Sequence, residues 1–179
     1  MTKIALIIGS LSRASINRTV AQHLAAQAPE GVTVEEVQIG DLPLYTQDLD
    51  SESIPAYERV RAQLQAADAV LIVSPEHNRS MPAAVKNLLD IASRPAGKSL
   101  WGGKKTAVIT ASPGSYGGIN SGLHIRQSLQ AMSADVMIAP EVFLSRAHTA
   151  LADGQVSDAR TAAFLNKFAA AFYGWAQAE

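Results

Sequence analysis

Short apolar segments alternate with longer amphipathic segments along most of the chain. Runs rich in aliphatic residues predict five strands, at 3–8, 32–39, 69–73, 105–111 and 135–139. In the second run the apolar residues stand at 32, 34, 37 and 39, so the alternation slips at Glu35–Glu36. This slip predicts an edge strand with a bulge, whereas the uniformly apolar run at 69–73 is typical of the sheet centre.

Amphipathic segments between these runs predict five helices. Four of them cover residues 16–28, 56–67, 82–93 and 119–132, and the fifth lies near the C-terminus. Ser15 is the expected N-cap of the first helix, and Pro82 is expected in the first turn of the third. In the last helix five residues predict one apolar stripe: Phe164, Leu165, Phe168, Phe172 and Trp175.

Five alternations of strand and helix predict an α/β fold, an open parallel sheet with helices on both faces and right-handed crossovers. The chain has 179 residues and no evident linker or repeat, so we expect one domain covering 1–179. In such sheets ligands bind outside the carboxyl ends of the strands. The residues that follow strands one, three and four are therefore the first place to look for a site.

Composition narrows the classes of function. The formal net charge is −1, which gives no electrostatic reason to expect a nucleic-acid or membrane partner. There is no cysteine, which excludes thiolate metal sites and cysteine nucleophiles and is compatible with a cytoplasmic protein. No segment approaches the ~20 apolar residues of a membrane span. The four histidines lack metal-ligand spacing, so we expect no metal site.

The loop after the first strand, "GSLSRASIN" (9–17), is rich in hydrogen-bond donors and leads directly into a helix. Backbone N–H groups and the helix dipole favour an anion such as a phosphate at that position. Ser10, Ser12, Ser15 and Asn17 add neutral donors, and Arg13 adds a charge. The loop has neither a dinucleotide fingerprint nor a Walker sequence. It is equally consistent with a serine-rich loop that only caps the helix.

Two further loops are expected at the same sheet edge. The segment "SPEHNRSMP" (74–82) has the composition of a loop that runs along a planar ligand, or of a tight turn stabilised by Asn78 and Ser80. In "SPGSYGG" (112–118) the glycines allow a close backbone approach to a ligand, or serve a turn. Because one fold places all three loops together, a shared ligand site is the stronger interpretation.

Other enzymes of this architecture do not fit the residues. A low-molecular-weight tyrosine phosphatase requires a cysteine, and a response regulator requires acidic residues where Gly9 and Ser10 stand. A serine hydrolase requires a nucleophile elbow, which "GSYGG" does not match.

The motifs "GSLSRASIN", "LPLYTQDLD", "SPEHNRSMPAAVKNLLDIASRP" and "SPGSYGG" resemble those of the NAD(P)H-dependent FMN reductase family, whose relatives include quinone, chromate and azo reductases. The resemblance covers nearly the whole chain. It implies a flavodoxin-like fold with five parallel strands in the order 2-1-3-4-5. It also implies bound FMN, NADPH or NADH as co-substrate, a small-molecule electron acceptor, and a homodimer or homotetramer in the cytoplasm. The segments "LPLY" (42–45) and "ASRP" (92–95) are our candidates for the subunit interface.

The resemblance further implies which residues bind the cofactor. For the FMN phosphate they are Ser10, Arg13, Ser15, Ile16 and Asn17. Along the isoalloxazine ring they are Pro75, Glu76, His77 and Asn78. At its far edge they are Ser112, Gly114, Tyr116 and Gly117.

The chain departs from the family pattern near the ring. His77 stands where tyrosine is usual, Arg79 where an aromatic or small residue is common, and Ile91 where tryptophan is common. We hypothesise that His77 and Arg79 bind substrate by making the pocket mouth more cationic, which favours anionic acceptors or nucleotide phosphates. His77 is also a candidate proton donor to a reduced quinone.

The function expected is therefore transfer of electrons from NAD(P)H through bound FMN to a quinone, flavin, azo compound or metal oxyanion. Because the cofactor carries the chemistry, no residue is assigned as catalytic acid or base. Two alternatives stay open at this point: a flavodoxin-type electron carrier and a non-catalytic flavin-binding module. A net charge of −1 and an aromatic share of 6% argue against the carrier.

Overall fold

The computed structural model describes residues 1–178. Its strands are β1 (Thr2–Ile8), β2 (Val32–Glu36), β3 (Ala69–Ser74), β4 (Lys105–Ala111), β5 (Asp135–Val136), β6 (Val142–Leu144), β7 (Leu151–Ala152) and β8 (Gln155–Val156). Its α-helices are α1 (Ile16–Ala25), α2 (Pro55–Ala66), α3 (Ala83–Ser93), α4 (Ile119–Ala131) and α5 (Ala159–Gln177). Short 3-10 helices cover Gln47–Ser51 and Ala147–Ala150.

The main sheet is parallel and has the order β2-β1-β3-β4-β5, with β6 also paired to β4. This order confirms the predicted flavodoxin-like α/β fold. Strand β3 lies at the sheet centre, as its uniformly apolar sequence predicts, and all six of its residues are buried. The carboxyl ends of β1, β3 and β4 are consequently neighbours.

The sheet separates two hydrophobic cores. One contains apolar residues of α1 and α5 packed on one face, including Leu24, Leu165 and Phe168. The other contains residues of α2, α3 and α4 on the opposite face, such as Val60 and Leu88. The predicted arrangement of helices on both faces is therefore confirmed.

The bulge predicted at Glu35–Glu36 is wrong. Strand β2 pairs with β1 in continuous register from Thr2↔Val32 to Leu6↔Glu36. The apolar pattern shifts because Val32 and Val34 pack in the α1–α5 core, whereas Val37 and Ile39 are buried in the core on the other face. Alternate residues of extended chain point to opposite faces, so the shift reflects a change of face rather than an inserted residue.

The predicted fifth strand at 135–139 is two short strands instead. Strand β5 pairs with the start of β4 and β6 pairs with its end, and the two are separated by a segment that contains Pro140. The buried guanidinium of Arg126 donates to the carbonyls of Met137 (2.7 Å) and Val108 (3.3 Å). A side chain of α4 thus replaces strand hydrogen bonds in the gap, and burial lowers the pKa of this arginine.

Two helix details differ from the prediction. Helix α1 ends at Ala25 rather than at 28, because the chain turns in 3-10 fashion after Leu24. In α5 the buried stripe includes Leu165, Phe168 and Phe172, but Phe164 is 42% exposed. Successive helical residues are rotated by roughly 100°, so Phe164 lies beside the stripe formed from Leu165 onward.

Candidate functional site

The three polar loops meet at one edge of the sheet. The first follows β1, the second follows β3 and the third follows β4, and these strands are adjacent and parallel. Side chains of the first two loops hydrogen-bond to the end of β4 and to the start of α4, and one cation–π contact joins the second loop to the third. The common edge that the sequence predicts follows from the confirmed strand order. Each loop has a local structure of its own.

The first loop is fixed by two polar residues at the start of α1. Ser15 is its N-cap, as predicted, and its Oγ accepts a hydrogen bond from the Arg18 N–H (3.1 Å). The Asn17 Nδ2 donates to the Ala111 carbonyl (3.1 Å), which ties α1 to the end of β4. Asn17 is 3% exposed, and its Oδ1 is buried without a hydrogen-bond partner among residues 1–178.

The second loop contains a tight turn. His77 and Ser80 exchange two backbone hydrogen bonds of 2.9 Å, and the two residues between them have positive φ, 49° at Asn78 and 66° at Arg79. This is the geometry of a type I′ turn, in which asparagine is favoured and arginine is not. The alternative of a tight turn at Asn78 and Ser80 is therefore correct for the local backbone.

Glu76 connects the second loop to α4. Its Oε2 accepts hydrogen bonds from the N–H groups of Asn120 (3.0 Å) and Ser121 (3.3 Å). Helix α4 begins after Gly118 and has no N-cap side chain of its own, so the carboxylate satisfies its first amides and complements its dipole. The side chain of Glu76 is therefore directed at the protein and not towards a ligand.

The third loop is held against the segment that follows β6. Gly117 has a φ of 64°, and a Cβ there would lie 2.6 Å from the Phe143 carbonyl oxygen. The Thr110 Oγ1 donates to the Gly117 carbonyl (2.7 Å). Gly117 is consequently required by close packing within the protein. Gly114 is different, because its nearest neighbour would be the Ser112 Oγ at 3.4 Å.

A cleft of about 280 Å³ lies between the first and second loops. It is lined by Gly9, Ser10, Leu11, Ser12, His77, Pro82, Ala83 and Ala84. A second groove, of about 400 Å³, lies between the start of α1 and the β7–β8 hairpin. Arg13, Ser15 and Ile16 line this groove, so the first loop presents two surfaces, with Ser10 and Ser12 on the cleft side.

Sequence reasoning missed a fourth loop at this edge. Residues 145–149, "SRAHT", follow β6, and the Arg146 N–H donates to the Gly114 carbonyl (2.9 Å). The Ala147 N–H donates to the Ser112 carbonyl (3.0 Å). The signal in the sequence was the apolar triplet 142–144 followed by polar residues, which the prediction of a strand at 135–139 obscured.

Asn87 was also missed. Its Oδ1 accepts a hydrogen bond from the Tyr45 N–H (2.8 Å), and its Nδ2 donates to the Pro43 carbonyl (2.9 Å). Helix α3 thus fixes the segment 42–45. The Arg94 Nε donates to the Tyr45 hydroxyl (2.9 Å), so the segments "LPLY" and "ASRP" are in contact with each other.

Known proteins share both the sequence pattern and the fold of this chain. The model of the family described as NADPH-dependent FMN reductase matches residues 2–149. The chain belongs to this family. The matched residues include the first three loops and α1 to α4, and the resemblance inferred from the motifs is confirmed.

Relatives in the family cover almost the whole chain. A quinone reductase of Pseudomonas putida is 42% identical over 173 residues, which are 96% of this chain and 93% of the relative. A 2-hydroxy-1,4-benzoquinone reductase of a Burkholderia species is 39% identical, over 97% and 95% of the two chains. An NAD(P)H-dependent FMN reductase of Pseudomonas aeruginosa is 35% identical, over 97% and 94%.

Solved structures agree with the fold. The flavoenzyme NAD(P)H:(acceptor) oxidoreductase FerB of Paracoccus denitrificans superposes with a TM-score of 0.91 at 35% identity, over 99% of this chain and 98% of that one. A flavodoxin of Pseudomonas aeruginosa superposes with a TM-score of 0.60 at 20% identity, over 96% and 99%. The latter similarity concerns the fold alone.

Proposed function

We propose that the chain is an FMN-dependent NAD(P)H oxidoreductase that reduces small acceptors, with quinones as the principal class. The observation that carries this proposal is the family match across 2–149, which includes the three loops that meet at one sheet edge. Quinone reductases and an NAD(P)H-dependent FMN reductase are among the relatives that cover over nine-tenths of the chain. FMN supplies the hydride and electron chemistry when it is bound.

The residues of the first loop fit the phosphate and ribityl end of FMN. The N-terminus of α1, the Ser15 hydroxyl and the Arg13 guanidinium supply donors for a phosphate on the groove side of the loop, and the Ser10 hydroxyl supplies one on the cleft side. The buried Asn17 Oδ1 is an acceptor without a partner among residues 1–178, which suits a ligand hydroxyl. Ile16 is half-buried beside these groups.

The second and third loops are proposed to hold the isoalloxazine ring. Their candidate residues are Pro75, Glu76, His77, Asn78, Ser112, Gly114, Tyr116 and Gly117. His77 lines the 280 Å³ cleft together with Ser10 and Ser12, which supports its assignment. The carboxylate of Glu76 contributes indirectly, because it holds the start of α4 in place. No side chain is assigned as a catalytic acid or base, so the protein binds and orients the reactants.

We infer that residues 1–179 form one FMN-binding domain, which acts in the cytoplasm as a homodimer or homotetramer. Exposed apolar side chains support association: Leu44 is 79% exposed, and Ile119 and Leu123 of α4 are 37% and 48% exposed. Leu44 belongs to the "LPLY" segment that contacts "ASRP" through Tyr45 and Arg94. No helix in the described part of the chain is long and apolar enough to cross a membrane.

Two experiments test this function. Initial rates are measured while NADPH and a quinone are varied together; alternation of both at one site predicts parallel double-reciprocal lines. A carrier or a non-catalytic module would show no turnover of these two substrates alone. Titration of the apoprotein with FMN and with riboflavin, which lacks the phosphate, tests the first loop. We expect FMN to bind at least tenfold more tightly, and equal affinity would contradict the phosphate assignment.

A further inference from the structure

Arg79 adopts a backbone conformation that arginine rarely takes. Its φ of 66° lies in the left-handed region, at the second central position of the turn between His77 and Ser80. Glycine is the usual residue at that position, and a residue with a Cβ costs about 1–2 kcal/mol there. The turn itself therefore does not explain the presence of an arginine.

The side chain of Arg79 stacks on the third loop. Its guanidinium carbon lies 4.5 Å from the centre of the Tyr116 ring, which is cation–π distance. The Arg79 side chain is 62% exposed and Tyr116 is 63% exposed. A stacked guanidinium is held flat while its N–H donors at the edge stay accessible to a ligand.

The charge of Arg79 is only weakly balanced by the protein. Among residues 1–178 the carboxylate within 4 Å of its guanidinium is that of Glu76, at 3.9 Å, which is beyond hydrogen-bond distance. The other oxygen of Glu76 is engaged by the first amides of α4. A cation at this position is therefore available to a second anion.

The surroundings reinforce this charge. The four loops at the carboxyl edge contain three arginines and one acidic residue, although the whole chain carries a net charge of −1. The arginines are Arg13, Arg79 and Arg146. His77, which belongs to the same turn as Arg79, lines a cleft of about 280 Å³, so the turn that carries Arg79 also forms part of the cleft wall.

We propose that Arg79 is a specificity-determining residue, which binds an anionic oxygen of the substrate at the cleft mouth through its stacked guanidinium. The inference rests on the proposed function. Two sources can supply that oxygen: the ionised hydroxyl of a hydroxyquinone acceptor, or the 2′-phosphate that distinguishes NADPH from NADH. Both offer a compact anion to a planar fork of donors.

The test compares the wild type with Arg79→Gly and Arg79→Lys. Glycine suits the left-handed turn, so Arg79→Gly is expected to fold with at least wild-type thermal stability. The acceptors are 2-hydroxy-1,4-naphthoquinone, an anion at neutral pH, and its neutral 2-methoxy analogue. Lys167→Gln on α5 is the charge control, because Lys167 is exposed and far from these loops along the chain.

If the acceptor supplies the anion, Arg79→Gly lowers kcat/KM for the hydroxyquinone about tenfold and leaves the methoxyquinone within about twofold. If the nucleotide supplies it, the variant instead lowers the preference for NADPH over NADH by a similar factor. Arg79→Lys recovers part of either loss, because it keeps the charge without the planar fork. Equal changes for charged and neutral substrates, or none, would overturn the proposal.

A binding measurement separates this inference from the proposed function. The two naphthoquinones are titrated into the oxidised protein without nucleotide, and Kd is obtained from the change in absorbance. A tenfold weaker Kd for the hydroxyquinone alone supports the proposal even where turnover is absent. The inference is rejected, and the proposed function kept, by a different outcome. In that outcome the wild type turns over, and Arg79→Gly has the wild-type Kd for both quinones and the wild-type preference between NADPH and NADH.

Discussion

The side-chain amide of Asn17 donates a 3.1 Å hydrogen bond to the carbonyl of Ala111, 94 residues away, while its own carbonyl oxygen is buried without a partner among residues 1–178. One side chain thus joins the first helix to the end of the fourth strand. The bond holds the first loop against the residue that precedes the third loop.

Asn17→Asp is expected to weaken both folding and cofactor binding. A carboxylate cannot donate to the Ala111 carbonyl and would place two acceptors together in a buried position. We expect the free energy of unfolding of the apoprotein to fall by about 2–3 kcal/mol, and the Kd for FMN to rise at least tenfold. Urea unfolding and flavin fluorescence measure the two effects. Asn166→Asp, at an exposed asparagine, is the control. A Kd for FMN that is unchanged in Asn17→Asp would contradict a role for Asn17 in binding.

Gly117→Ala is expected to distort the third loop. The new Cβ would lie 2.6 Å from the Phe143 carbonyl oxygen at a residue with positive φ, and neither strain can relax without moving the backbone. We predict a loss of about 2–4 kcal/mol in the free energy of unfolding. Gly114→Ala in the same loop meets only the Ser112 Oγ at 3.4 Å, so a loss below about 1 kcal/mol is expected. Equal losses in the two variants would show that Phe143 does not determine the effect.

The ion pair of Arg18 and Glu36 predicts an acid-sensitive contribution to stability. Two hydrogen bonds from the Arg18 guanidinium lower the pKa of Glu36 below its ordinary 4.5. Because the unfolded chain takes up the proton first, the contribution is complete above pH 4.5 and is lost as pH falls through the folded pKa. Both side chains are about one-third exposed, which limits the effect to roughly 1 kcal/mol.

Glu36→Gln tests this contribution by urea unfolding across the acid range. The variant should be less stable than the wild type near neutral pH, and the difference should disappear near roughly pH 3. The exposed Glu30 supplies a matched Glu30→Gln control, for which no pH-dependent difference is expected. A deficit in Glu36→Gln that persists in acid would assign its effect to packing rather than to charge.

The stability that Tyr173 contributes is expected to be lost as pH rises, in contrast to the contribution of Glu36, which is lost as pH falls. The Tyr173 hydroxyl donates to the Leu24 carbonyl (2.9 Å), and burial raises its pKa to about 12. The stability that this neutral phenol contributes is complete below its ordinary pKa of 10 and is lost as pH rises towards 12. Tyr173→Phe should cost about 1 kcal/mol near neutral pH and should flatten the alkaline decline. Tyr116→Phe, at an exposed ring, should leave that decline unchanged; a Tyr173→Phe curve parallel to the wild type would refute the assignment.

The order of elements could be predicted from the sequence because each strand is an apolar run and each helix an amphipathic one. The central strand at 69–73 and the helix cap at Ser15 are examples of signals that are local to a few residues. The apolar triplet 142–144 signals the second of the two short strands, but the contact that spans the gap between them has no local signal. It depends on Arg126 of α4, a charged residue that is 8% exposed and donates to the carbonyls of Val108 in β4 and Met137 in the gap.

The candidate site likewise has features that the sequence predicts and features that only the fold reveals. The polar loops and their common edge follow from the pattern, and the motifs identify the family. The role of Glu76 as the cap of α4, 44 residues later in the chain, could not be inferred, because a loop carboxylate acquires that partner only through the fold. The stacking of Arg79 on Tyr116 could not be inferred either, because these residues lie in different loops and meet only in the folded chain.

An anaerobic absorbance spectrum of the purified protein, recorded before and after adding NADPH or NADH and then a quinone, shows whether bound FMN passes electrons from nucleotide to acceptor. We predict a yellow protein whose visible band bleaches with nucleotide and returns in full when the quinone is added. A yellow protein that neither nucleotide bleaches would contradict the enzymatic function. A colourless protein that also fails to take up added FMN would contradict the site itself.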